Sequence, residues 1–318
     1  LTVTTGSNNA LFGFGAGDAI TTGANHTAIG AFTLSAVTTA NDLTAIGRSV
    51  LAVNTSGSGN TGVGSNALTA NTAGNENTAV GNISLDANTT GSQNTALGYS
   101  ALSANTTADF NTAIGRQALS VNTTGASNVA VGGNSLDANT TGSTNTAIGT
   151  SSLSSNTTAS GNTAIGANTL NANTTGTFNV AVGKDALLVN TTANNNTALG
   201  FFTLKNNTTG ASNTALGSDA LQKNTTASNN TAVGLHALLE NTTGAQNTAV
   251  GTFALDANTT ANANTAFGDQ SGRSATTGQD NVCIGARSAS LNTELTTGIR
   301  NTILGSYTAM SAVGVSNE

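Results

Sequence analysis

The chain has 318 residues, no Pro or Trp, only 3% aromatic and 7% charged residues, and a formal charge of −6. Eight scattered Lys and Arg cannot make the clustered cationic surface that phosphate groups require, which excludes nucleic acid and a basic membrane-binding face. A charged fraction this far below about 25% also separates the chain from ordinary cytosolic enzymes and leaves Gly, Ala, Asn and Thr to cover its surface.

One seventeen-residue unit fills the sequence. Its signature is Asn-Thr-Ala-aliphatic-Gly, as in Asn111-Thr112-Ala113-Ile114-Gly115, and the closing glycines advance by 17 from Gly13 through Gly30 and Gly115 to Gly285. Counted from that Asn, position nine is Leu in fourteen consecutive copies (Leu34 to Leu255), and position twelve is Asn in thirteen (Asn54 to Asn258). Such self-similarity marks a solenoid, a propeller or a fibrous array, in which each unit buries its apolar side against its neighbours. A single continuous array over 1–318 is expected, with no internal domain boundary.

The chain opens at Leu1 with Thr4-Thr5-Gly6 already in phase with the later Thr-Thr-Gly turns, as expected for part of a longer polypeptide. Residues 1–42 hold degenerate rungs: Asn9-Ala10-Leu11-Phe12-Gly13 and His26-Thr27-Ala28-Ile29-Gly30 lack the later Asn-Thr-Thr. Residues 43–268 are nearly uniform. Over 269–318 the pattern decays, with Gly272 in place of Leu, Ala275 in place of Asn, and an insertion near 293–297 that makes Asn301-Thr302-Ile303-Leu304-Gly305 arrive three residues late.

Within a rung, Thr, Ile and Val favour extended backbone, Gly permits a corner, and Asn-Thr-Thr-Gly supplies the return. The stretch between, such as Lys184-Asp185-Ala186-Leu187-Leu188-Val189, is poor in β-branched residues and reads as either a short helical turn or a bent second strand. The predicted fold class is all-β, a parallel β-roll or β-solenoid of about 17–18 rungs, which at about 4.8 Å per rung makes a rod on the order of 80 Å long. Its expected core is the aliphatic of position four and the Leu of position nine: Ile114, Leu119, Val131, Leu136, Ile148, Leu153, Ile165 and Leu170. Stacking would turn positions one and twelve into asparagine ladders, Asn111, Asn128 and Asn145 in one and Asn122, Asn139 and Asn156 in the other, with amides bonding from rung to rung. Asn-Thr-Thr, as in Asn88-Thr89-Thr90, also spells an N-glycosylation sequon, although architecture explains its recurrence without any sugar.

Ala113 and Ile114 are adjacent and both apolar, so they point to opposite faces of one strand. A solenoid strand ordinarily has one dry and one wet face. A second apolar face implies a neighbouring chain, hence a homo-oligomer, most simply a trimeric rod. The phrase Asn111-Thr112-Ala113-Ile114-Gly115 and its copies resemble the head repeats of YadA-like trimeric autotransporter adhesins and related repeats of phage tail-fibre and hemagglutinin-like proteins. That resemblance implies a left-handed parallel β-roll, three chains packed together and a surface that binds host matrix or other cells. It also implies interior or inter-chain places for Ala113, Ile114, Ala147 and Ile148. This repeat is longer than the family's usual head repeat and adds a Leu-x-x-Asn-Thr-Thr element.

No catalytic, metal or cofactor constellation is legible. His26 takes the place of a ladder Asn, His236 stands elsewhere in its rung, and neither has a His or Cys at ligand spacing. Asp86, Asp137 and Asp256 recur at position ten without the Gly-Gly-x-Gly-x-Asp period of a calcium-binding roll. Cys283, at an Ala position, is the lone cysteine, so no internal disulfide is possible. Phe12-Gly13-Phe14-Gly15-Ala16-Gly17 matches a phosphate loop only weakly, since no Lys-Ser/Thr follows it. No signal peptide, lipidation motif or membrane-spanning run is visible.

Copies differ most at positions six, seven, ten, sixteen and seventeen, which marks these as outward. Phe110, Phe178, Phe201 and Phe202 stand there and are candidates for contact with a receptor or a neighbouring chain. The expected function is an extracellular adhesive or fibre-forming segment of a cell surface or virion, without cofactor or enzymatic activity. Its expected partners are copies of itself and a host-cell, matrix or glycan receptor. A phage tail-fibre shaft or a purely structural filament is the alternative. Ice binding by Thr ladders is a weaker one, because strand-like alternation would pair Asn122 with Thr124 and put Thr123 on the other side.

Overall fold

Thr112-Ala113-Ile114 is extended because Thr and Ile suit a pleated backbone. It ends at Gly115, whose φ of +135° disfavours any residue with a side chain. In the computed structural model, which describes residues 5–290 and 296–308, the same strand-and-corner event recurs rung after rung. The chain divides into two compact units, 1–162 and 163–318.

The first unit holds nine three-residue strands, β1–β9: Ala10–Phe12, Thr27–Ile29, Thr44–Ile46, Thr61–Val63, Thr78–Val80, Thr95–Leu97, Thr112–Ile114, Val129–Val131 and Thr146–Ile148. Each pairs in parallel with the next at a step of one repeat, so that Thr112 lies between Thr95 and Val129. The second unit does the same with β10–β18: Thr163–Ile165, Val180–Val182, Thr197–Leu199, Thr214–Leu216, Thr231–Val233, Thr248–Val250, Thr265–Phe267, Val282–Ile284 and Thr302–Leu304. Its last step pairs Val282 with Thr302, so the late copy of the phrase still joins the sheet in register. The inserted Glu294 and Leu295, like residues 1–4 and Ala312-Val313-Gly314, lie outside the described residues. Each unit is thus a parallel β-solenoid, and no α-helix occurs among the described residues.

Neither a helical turn nor a second strand connects the corner Gly to Asn-Thr-Thr. Two tight turns do so, closed by Ala118 N–H to Gly115 O and Asn122 N–H to Leu119 O, both at 3.3 Å. Gln117 (φ 56°) and Leu119 (φ 53°) are left-handed, and that alternation of sign rules out a helix. Their amides bond in opposite directions, Gln117 to Tyr99 O in the rung before and Leu119 to Ser135 O in the rung after, each at 2.9 Å. Backbone with positive φ penalises side chains branched at Cβ. Position nine is accordingly Leu and never Ile or Val, and its replacements Gly17, Gly272 and Ala289 also carry positive φ.

Leu119, Leu136, Leu153 and Leu170 are fully buried, as expected. Ile114, Val131, Ile148 and Ile165 are not core residues of the chain. The inward side of each strand carries Ala113, Ala130, Ala147 or Ala164, each fully buried, while Ile148 and Ile165 are 38% and 37% exposed. Space decides this. In the regular rungs a Leu and two stacked carboxamides fill the interior and leave the inward strand position to Ala or Gly, whereas Cys283 and Ile303 take it in the degenerate rungs at the end. Asn111, buried in its ladder, shares the parity of Ala113, so when one is inward both are.

Both asparagine ladders form. Asn111 Oδ1 accepts from the backbone N–H of Asn128 (2.9 Å) and from its Nδ2 (3.2 Å), and that Nδ2 also donates to Gly142 O at 2.9 Å. In the second ladder Asn122 Nδ2 donates to Asn105 Oδ1 (3.2 Å) and to Gly125 O (2.9 Å), and Asn122 Oδ1 accepts from Asn139 Nδ2 at 2.8 Å. Leaving one such buried group unpaired costs about 1–3 kcal/mol, so the columns enforce the one-repeat register. In the sequon at Asn88 the side-chain amide is buried and donates to Asn71 Oδ1 and Gly91 O, so the folded rung offers no accessible nitrogen to a sugar.

Candidate functional surface

Three sides of the rung reach the surface, and they differ in chemistry. The strand side presents positions two and four. Position two is Thr or Val and position four is Ile, Val, Leu or Phe in every strand from β2 to β18, with no charged residue among them. Many of these aliphatics lie open, among them Leu97, Leu199 and Leu216 at 45%, 44% and 42% exposure, and Phe267 at 58%. The expected second apolar face therefore exists, and none of the described residues covers these exposed side chains.

The connecting turn, positions six to eleven, gathers the charge. Seven of the eight cations sit there: Arg48, Arg116, Lys184, Lys205, Lys223, Arg273 and Arg287. Several pair with the adjoining rung. Lys223 Nζ meets Glu240 at 2.7 Å, Arg273 Nε meets Asp256 at 3.3 Å, and His236 Nε2 lies 3.7 Å from Asp219. The His236 ring stands edge-on to Phe253, while Lys205 sits 4.0 Å above the Phe202 ring, which stacks on Phe201 at 3.7 Å. Phe201 and Phe202 are thus brought together. Phe110 in the first unit and Phe178 in the second stand exposed at position seventeen.

Half-buried carboxylates mark position ten. Burial raises the pKa of Asp86, Asp137 and Asp256 above the ordinary aspartate value, and the nearby Arg273 partly opposes this at Asp256. Where Ser occupies the position its hydroxyl donates to the next rung, as from Ser103 to Ser120 O at 3.1 Å. An ionised Asp has no proton to give, and Oδ1 of Asp137 and of Asp256 is buried without a partner. Cys283 is buried, which pushes its thiol up to about 11. Among the described residues no group of three or more His, Cys, Asp or Glu could hold a metal ion. A hollow of about 410 Å³ at the first rung is lined by Gly13, Phe14, Gly15, Ala16, Asp18 and Phe32. It offers a carboxylate and no cation, the reverse of what a phosphate needs.

The return side, positions twelve to seventeen, holds the residues that sequence reading missed. Position sixteen was expected to face outward. It does reach the surface, and its short polar side chains also form a further ladder, accepting the backbone N–H of the preceding rung: Ser58 N–H to Asn75 Oδ1, Asn75 N–H to Ser92 Oγ, and Ser92 N–H to Asp109 Oδ1, at 2.9, 3.0 and 2.6 Å. Its restriction largely to Ser, Asn, Asp, Thr and Ala was the available signal. Position thirteen forms another, each Thr hydroxyl donating to the next rung's carbonyl, as Thr123 does to Thr140 O at 3.0 Å. Thr124, at position fourteen, is exposed, so Thr123 and Thr124 both reach the surface while Asn122 is buried.

No protein-family model matches the chain, and no curated protein sequence matches it. No helix among the described residues is long and apolar enough to cross a membrane.

Proposed function

We propose that this chain is an extracellular adhesive or fibre-forming repeat segment that associates with copies of itself, most simply as a trimer, and meets its surroundings through the stacked outer surface. The uncovered aliphatic column of the strand side carries this reading. An unbroken, charge-free row of Ile, Val, Leu and Phe in each unit is a costly surface to leave in water and a ready one to bury between chains. The resemblance of Asn-Thr-Ala-Ile-Gly to YadA-like head repeats agrees with it. The charged and aromatic turn side would then face outward and supply whatever receptor contacts exist, with Phe201 and Phe202 the first candidates.

Light scattering tests the association. The chain should run as an oligomer, and Leu199→Lys with Leu216→Lys, two exposed positions with no role in the chain's own core, should make it monomeric with its circular dichroism unchanged. A monomeric parent chain sinks the proposal. A tail-fibre shaft or passive filament predicts the same oligomer but no saturable binding of the isolated protein to cells, matrix or glycan arrays, and that assay separates it from an adhesin.

A further inference from the structure

The most regular exposed feature of the molecule is neither the aliphatic face nor the charged turn. In the second unit position fourteen is Thr in successive rungs, Thr175, Thr192, Thr209, Thr226, Thr243 and Thr260, all exposed. None of these hydroxyls donates or accepts a hydrogen bond among the described residues, whereas the Thr before each one is tied to the next rung's carbonyl, as Thr208 is to Thr225 O at 3.0 Å. In these six rungs position fourteen therefore has no internal task that would hold its identity; at Thr277, beside the insertion, the hydroxyl donates to Thr296 O at 3.2 Å. Its exposed neighbours have drifted freely: position seventeen runs from Phe178 through Asn195 and Ser212 to Ala263, and position six from Lys184 and Phe201 to Leu235. Duplication alone would have left all exposed positions equally alike.

A column of identical groups, one per rung of about 4.8 Å, cannot mark a single-copy epitope. What reads it must itself repeat. The positions around it are also uncharged: positions twelve to fifteen carry no Asp, Glu, Lys, Arg or His in any rung from Ile20 to Gly278. Each Thr offers a hydroxyl that can donate and accept beside a methyl that cannot. The ladders beneath hold the column in place, so little side-chain and backbone freedom remains to be lost on docking. We infer that the Thr-Thr side of the solenoid binds the ordered water lattice of ice. This side is separate from the strand side proposed for self-association, so the two readings stand or fall independently.

Thermal hysteresis and ice shaping of the purified full chain test the inference, together with incorporation of fluorescently labelled protein into a growing ice crystal. The parent chain should shape ice and be incorporated. Thr192→Lys, Thr209→Lys and Thr226→Lys together should abolish both effects, while the charge-matched set Asn206→Lys, Leu235→Lys and Thr252→Lys on the turn side should keep them. Circular dichroism melts confirm that each protein is folded, and light scattering on the same samples reads self-association separately. A folded parent chain without hysteresis or incorporation overturns the inference, as does a position-fourteen triple variant that behaves like the parent.

Discussion

The side-chain oxygen of Asn258 is buried without a hydrogen-bond donor because Ala275, one rung on, stands where the next ladder asparagine would donate. Asn258 Nδ2 is satisfied by Asn241 Oδ1 at 2.7 Å and by Ala261 O at 3.2 Å, so only the oxygen is orphaned. Ala275→Asn restores the missing donor and should raise stability by about 1 kcal/mol. A urea titration checks this: the midpoint should rise with an unchanged slope, and a fall would mean the site cannot take the larger side chain.

The same arithmetic runs in reverse at the middle of a ladder. Asn122→Ala leaves the buried Asn105 Oδ1 without its donor and takes from Asn139 Nδ2 one of its two acceptors, while Gly125 O keeps the Asn111 amide. A loss of about 2–5 kcal/mol is expected, against about 0.5 kcal/mol or less for Thr124→Ala, whose side chain is exposed. Equal losses in thermal melts of the two variants would contradict the ladder account.

Two adjacent glycines should respond oppositely. At Gly132 a Cβ would lie 2.6 Å from the carbonyl oxygen of Gly149, on a backbone with φ +131°, whereas a Cβ at Gly133 meets nothing within 4 Å. Gly132→Ala should cost about 3 kcal/mol or more through clash and strain together. Gly133→Ala should shift stability by no more than about 0.5 kcal/mol. Differential scanning calorimetry of the pair measures this.

Most of this fold was legible because stacking by one repeat follows from the period itself. Leu119 and Asn122 had to be inside, since an apolar and an amide side chain repeated at fixed places pack only as columns. The choice between Ala113 and Ile114 was harder. Hydrophobicity favours Ile, but the parity shared by Asn111 and Ala113, two residues apart on one strand, already placed Ala inward. The connection escaped because its conformation alternates in the sign of φ, at Gln117 and Leu119, a pattern that neither helical nor strand periodicity reveals. On the surface, the exposed Phe residues announced themselves, whereas position sixteen looked variable because Ser, Asn and Asp perform one task interchangeably.

Left-handed backbone at position nine makes a further distinction testable. Leu119→Met and Leu119→Ile both conserve volume and would ordinarily cost less than about 1.5 kcal/mol each. Here φ is 53°, and branching at Cβ should make the Ile variant worse than Met by about 1–3 kcal/mol. Chemical denaturation of both proteins decides it, and indistinguishable midpoints would show that the turn relaxes to accept Ile.

Acid should loosen the first rungs through His26. The imidazole replaces a ladder amide, accepting the Leu43 N–H at Nδ1 (3.3 Å), and its Nε2 is buried without a partner of good geometry. Burial lowers its pKa below 6.5, against the upward pull of the Ala40 carbonyl and the Asp42 carboxylate. Because the unfolded chain takes the proton first, the stability held at this site is complete above about pH 6.5 and is lost as the pH falls below it. Asp86, Asp137 and Asp256 act in the opposite sense. Their folded pKa values lie above 3.8, so they weigh against the fold at neutral pH and are relieved as acid protonates them on the way down to 3.8. Hydrogen exchange at the Leu43 amide should therefore accelerate between pH 7 and pH 5 in the parent chain. In His26→Asn, where a carboxamide offers the same acceptor without titrating, it should stay slow once intrinsic rates are corrected. Asp137→Ser, which restores a donor, should raise the melting temperature at pH 7 and lose that advantage near pH 4. A Leu43 amide whose protection is independent of pH in the parent chain would remove His26 from the account.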